Sequence, residues 1–259
     1  MRSRAGHAKK THLDKPSTPP VVPQRGHASS FYQQTMAKPA PLPELEPVDA
    51  AAIERSELAP GVTLATSPNP YNHLFAFDVE FGVGTEAIPE LEVGAAYLAR
   101  LAPEGQSVEA FKRRSTELGI TLDVVANAQR LLLRVEGPDE HLEQALALVD
   151  DLLEHPQLDE RRFAVLRKEV WGEARVTRQD PAMLAEALRE YVFHGQDSAF
   201  LRAYGPREIK RLGPERALEA VARAQGYATA FRYVGPRGLA ELEPLVRASF
   251  TPKASLAPA

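Results

Sequence analysis

Glu173 is the acid placed where it could do chemistry. It follows Val170 by three residues and Leu166 by seven, so helical geometry turns it toward the same apolar stripe. A carboxylate on such a face needs a cationic or hydrogen-bonding partner, or it takes up a proton. Two readings stand: a helix-edge glutamate reaching solvent, or a buried acid that once met a metal. His141 and His155 fall at the start of one helical segment and just after its end, with Glu143 and Glu154 nearby. Neither pair has ligand spacing on one helical face, which favours solvated helix-end residues. His7, His12 and His27 sit among prolines where nothing fixes their geometry. Trp171, the sole tryptophan, either caps an edge of the core or binds something. Asn69-Pro70-Tyr71-Asn72 reads as a loop entering a strand, with the wall of a binding chamber as the alternative.

Other chemistries are excluded outright. There is no cysteine, hence no disulfide framework, thiolate metal site or cysteine nucleophile. No Gly-x-Gly-x-x-Gly, Gly-Lys-Ser/Thr or Gly-x-Ser-x-Gly motif occurs. Gly82-Val83-Gly84 follows a strand but lacks the third glycine a nucleotide loop requires, so it reads as a strand-end turn.

The elements that must position these residues begin near residue 58. Phe75, Phe77, Val79, Phe81 and Val83 alternate with Ala76, Asp78, Glu80 and Gly82, a strand with one buried face. A short strand at 62–65 precedes it. Ile120, Leu122 and Val124, then Leu131, Leu133 and Val135, predict a hairpin across Asn127-Ala128-Gln129, and a last strand covers 227–234. Helices are expected over 89–101, 107–118, 139–153, 159–178, 181–193, 214–225 and 237–249, with Ser107 as an N-cap and Gly119 closing its helix. There is no regular βαβ alternation, and the hairpin requires antiparallel pairing. The class is α+β, a mixed, largely antiparallel sheet with helices packed on one face.

The chain of 259 residues is 44% hydrophobic and 25% charged, ordinary for a globular protein. Its net charge of −4 divides unevenly, +6 over residues 1–40 and −10 over the rest. The folded part is acidic and no aromatics interleave with its basic residues, which argues against a nucleic-acid surface. No apolar run is long enough to span a membrane, and no hydrophobic stretch follows the basic N-terminal residues as in a secretory signal. The compartment stays open: cytoplasmic by default, periplasmic if the chain is part of a secreted parent. Eight prolines between Pro16 and Pro47 make residues 1–57 a proline-rich tail or linker, too poor in apolar residues to order itself. The domain is expected over 58–250, with 251–259 a second tail.

Several stretches together resemble the M16 (insulinase/pitrilysin-like) metallopeptidases. They are Asn69-Pro70-Tyr71-Asn72-His73-Leu74-Phe75 and its strand, Ala95-Ala96-Tyr97-Leu98, Ser107 to Gly119, and the hairpin. Leu142 to Leu153 with His155-Pro156-Gln157-Leu158-Asp159, and Tyr233-Val234-Gly235-Pro236, complete the set. More specifically, the chain is similar to the second, non-peptidase half of two-half bacterial members, over about 58–249. Active halves carry His-x-x-Glu-His on one helix, two zinc-ligating histidines and a glutamate that activates water, and a later glutamate completes the site. Placing the family's aromatic and leucine on Tyr97 and Leu98 puts Ala96, Ala99 and Arg100 at those positions, and only Glu173 remains of the later acid. A one-residue shift, giving Tyr97, Arg100 and Leu101, is no better. Alanine and leucine offer no lone pair, and arginine stays protonated.

The resemblance therefore implies a catalytically inactive half without zinc of its own. It would enclose a substrate chamber with an HxxEH-bearing partner half, in the same longer chain or a separate subunit, and that partner would hold the zinc. Peptides are the implied substrates, and Asn69, Tyr71 and Asn72 are possible chamber-lining residues. The acidic excess leans toward basic or neutral peptides. The family's helper arginine and tyrosine would fall beyond residue 250, so an excerpt of a larger protein is expected. Arg100 is expected either to pair with Glu173 in place of the lost metal or to be solvated. Two rivals remain: a structural or assembly subunit with this fold and no proteolytic role, and an active hydrolase with unrecognised ligands.

Overall fold

The computed structural model describes residues 29–36, 52–177 and 179–251. The tail histidines His7, His12 and His27 and residues 252–259 lie outside the described residues. The chain divides into two units, Met1–Glu46 and Pro47–Ala259.

In the first unit, Ser30–Met36 is a helix, α1, within the stretch expected to be a linker. Two local features support it. Residues 24–38 are free of proline, and Ser29 Oγ accepts the Tyr32 N–H at 3.2 Å, a cap on the first turn.

The second unit holds β1 (Glu54–Ala59), β2 (Val62–Pro68), β3 (Leu74–Phe81), α2 (Leu91–Leu98), α3 (Val108–Glu117), β4 (Thr121–Ala126), β5 (Leu131–Pro138), α4 (Leu142–Glu154) and α5 (Glu160–Thr177). There follow α6 (Pro181–His194), α7 (Ala199–Arg202), α8 (Pro206–Arg211), α9 (Pro214–Ala224), β6 (Thr229–Gly235) and α10 (Leu239–Ser249). The six strands form one sheet in the order β1-β2-β6-β3-β5-β4. Only β2 and β6 run parallel, Val62 opposite Thr229; the other pairings are antiparallel. The mixed, largely antiparallel α+β architecture is the one expected. The sheet begins at Glu54, four residues before the expected boundary, because β1 is a polar edge strand without an apolar alternation to announce it.

The two faces of the sheet are built from alternate residues. Phe75, Phe77, Val79 and Phe81 of β3, Leu131, Leu133 and Val135 of β5, and Phe231 and Tyr233 of β6 are buried with Leu142, Leu146, Val149 and Leu152 of α4 and Leu242 and Val246 of α10. Phe77, Phe231 and Phe250 stack in one cluster, with ring centroids 5.0–6.1 Å apart. The opposite face is an ion-pair ladder. Arg134 donates to both carboxylate oxygens of Asp78 at 2.7 and 2.8 Å, and Glu80 accepts from Arg130 at 2.9 Å and from Arg232. The Asp78 carboxylate raises the pKa of the Arg134 guanidinium further.

Candidate functional site

Helix α2 carries Ala96, with Ala99 and Arg100 just past its end, and its place is fixed by two contacts. Gly94 lets α9 approach: a Cβ there would sit 2.5 Å from the Ala217 carbonyl oxygen. Tyr97 is fully buried and locks α2 to the start of α5. Its hydroxyl donates to the Asp159 carbonyl at 2.9 Å and accepts the Asp159 N–H at 2.8 Å. Its ring meets Phe163 edge-on at 5.0 Å. Burial raises the Tyr97 pKa above its ordinary value, against the opposing effect of the Asp159 backbone hydrogen bond. Sequence reasoning used Tyr97 only for alignment and missed this latch; its place in the apolar run Ala95–Leu98 was the available signal.

With α2 so placed, the Arg100 guanidinium reaches α5. One nitrogen donates to the Ala96 carbonyl oxygen at 2.5 Å, the other to Glu169 Oε2 at 2.6 Å. The two expectations were a pair with Glu173, one turn later, or a solvated Arg100; the structure instead pairs Arg100 with Glu169. Glu173 is exposed and has no hydrogen bond or ion pair with any described residue. The physical reason is that the apolar stripe outlasts the core: α5 buries Phe163 and Leu166, Val170 is only half-buried, and no fully buried residue follows on that helix.

These side chains do not fit a zinc ion. The two alanines offer no donor atom, and Arg100 is a permanent cation already engaged by Glu169. Among the described residues no three His, Asp or Glu side chains converge as a metal cluster.

The remaining candidates are dispersed. Asn69, Tyr71 and Asn72 form a self-bonded turn: Asn69 Nδ2 donates to Asn72 Oδ1 at 2.8 Å, Asn69 Oδ1 accepts the Tyr71 N–H, and Asn72 Oδ1 accepts the Leu74 N–H at 2.9 Å. Asn69 and Asn72 border a cleft of about 420 Å³ that reaches across β3 and β5 to Glu136. His141 and His155 stand at opposite ends of α4. In Gly82-Val83-Gly84, the second glycine lies against the hairpin turn, where a Cβ would be 2.3 Å from the Asn127 carbonyl oxygen. That glycine serves backbone packing.

One surface was not anticipated. Every described residue of α6 is at least partly exposed. Leu184, Leu188, Tyr191 and Val192 make an apolar stripe along its solvent side.

Solved structures supply the comparison. A peptidase M16 inactive domain from Pseudomonas fluorescens matches with a TM-score of 0.67 at 16% identity, over 80% of this chain and 54% of that one. The fold is that of an M16 half. The periplasmic protease PqqL from Escherichia coli matches with a TM-score of 0.65 at 16% identity, over 83% of this chain and 26% of its own. The ferredoxin protease FusC, solved with Arabidopsis ferredoxin, matches with a TM-score of 0.68 at 15% identity, over 86% and 26%. This chain thus spans about half of the first neighbour and about a quarter of the other two. No family model and no curated protein sequence matches it. No described helix is long and apolar enough to cross a membrane.

Proposed function

We propose that this chain is the zinc-motif-lacking half of an M16-type metalloprotease, closing a substrate chamber against an HxxEH-bearing half that holds the zinc. The observation that carries the reading is the face formed by Ala96, Ala99 and Arg100. It is donor-free and cation-plugged by the Arg100–Glu169 pair, in a fold shared with an inactive M16 domain. A half of this kind contributes enclosure and substrate contacts while its partner performs hydrolysis. The exposed apolar stripe of α6 supports the reading, since a soluble domain rarely leaves such a surface without a partner. On this reading Ala96, Ala99, Arg100 and Glu173 are degenerate zinc-site positions, and Asn69, Tyr71 and Asn72 line the chamber.

The test is to purify the chain alone and with an HxxEH-bearing M16 partner, then measure zinc content and peptide hydrolysis. The expected result is hydrolysis by the pair and none by the chain alone. Stoichiometric zinc with unaided cleavage would falsify the reading. A stable complex without any gain in hydrolysis would instead establish the assembly role.

A further inference from the structure

A cleft of about 640 Å³ opens between the C-terminal half of α5 and α8, on the flank of α5 away from Glu169. It is lined by Trp171, Ala174, Arg175, Gln179, Arg207 and Glu208, with Gly205 at its edge. Trp171 and Arg175 are one helical turn apart on the same flank of α5, and the indole is 56% exposed. Arg100, Arg134, Arg162, Arg189, Arg232, Arg237 and Arg247 are all paired with carboxylates. Arg175 and Arg207, like Arg55, Arg113, Arg114, Arg161, Arg167, Arg211, Arg216 and Arg223, have no ion-pair partner among the described residues; these two line one cleft together. The lining holds two arginines and one glutamate, a local excess of one positive charge on a protein of net charge −4.

We propose that this cleft binds a carboxylate-bearing peptide segment. Two free guanidinium forks match carboxylates in bidentate geometry, and the indole face covers the apolar part of a side chain or peptide plane. Glu208 and Gln179 decide between anion classes. A carboxylate in the lining repels a dense polyanion, whereas Glu208 and the Gln179 amide can accept the backbone N–H groups of a peptide, and Gln179 can also donate. The cleft volume suits a few residues of chain. The carboxylate can come from aspartate and glutamate side chains or from a peptide C-terminus. The site is separate from the α2–α5 face, and its occupancy does not depend on any catalytic partner.

Because Trp171 is the only tryptophan, its fluorescence reports on the cleft directly. The full chain is titrated with four probes: a capped peptide alternating aspartate and alanine, an uncapped alanine peptide, a capped peptide alternating lysine and alanine, and inorganic phosphate. The expected result is a saturable change with the first, the second or both, which tells side-chain from terminal carboxylates, and none with the lysine peptide. Arg175→Gln with Arg207→Gln is expected to weaken binding at least about tenfold, and about 0.5 M salt to weaken it similarly. Unchanged circular dichroism shows that this variant is folded, and Trp171→Phe, followed by calorimetry, gives a second loss of affinity. The proposal is overturned if neither carboxylate probe produces a saturable change, or if the double variant binds as tightly as the parent. Binding of phosphate at lower concentration than either peptide overturns it too.

Discussion

Tyr97 is the side chain on which the α2–α5 face depends, and removing one oxygen from it is a sharp test. Tyr97→Phe leaves the Asp159 N–H and carbonyl without their buried partner. A loss of about 1–3 kcal/mol is expected in denaturant unfolding. The pH sign follows from the raised pKa. The folded state holds the phenolic proton more tightly than the unfolded chain does, so this contribution is complete below the ordinary tyrosine pKa of about 10. It is lost as pH rises through the folded value, and the phenylalanine variant shows a shallower alkaline decline. The Arg100–Glu169 pair behaves differently. Both side chains are more than a third exposed, so Glu169→Gln is expected to cost under about 1 kcal/mol. A chelator is expected to leave the melting temperature unchanged, because the Tyr97 phenol bridges the two helices through Asp159.

At the scale of elements, the close crossing of α2 and α9 carries the next prediction. Gly94→Val places a branched side chain against the Ala217 carbonyl oxygen and is expected to cost about 1–3 kcal/mol or more in thermal unfolding. Most elements were legible in the sequence because burial imposes period. The alternation along β3 and the hairpin of β4 and β5 both appear where expected. So does the Ser107 cap, whose Oγ accepts the Ala110 N–H at 3.1 Å. Three of the misses share a cause. Strand β1 is an edge of mostly exposed residues, and α7 and α8 are four and six residues long, so none carries a full period of buried side chains. The α2–α5 face was half legible. That its alanines and arginine cannot ligate zinc follows from residue type alone. That Arg100 meets Glu169 depends on how far the core extends along α5, and local spacing does not encode that.

For the whole molecule, the apolar stripe of α6 should govern association. Leu188→Glu with Val192→Glu alters two side chains that are mainly in water, so stability should stay within about 0.5 kcal/mol. Self-association of the parent chain, measured by sedimentation, is expected to fall in this variant. The strand order has a separate bearing on how the protein is made. β6 lies between β2 and β3, and Val62 meets Thr229 across it. A nascent chain leaving the ribosome therefore holds β1–β2 and β3–β5–β4 as two unjoined ribbons until residue 235 has been synthesised. Each ribbon exposes a strand edge during that interval, as translation adds about 5–20 residues per second. A chaperone that shields such edges should raise the yield of folded protein most for this latecomer strand, and a chain stopped at residue 225 should precipitate.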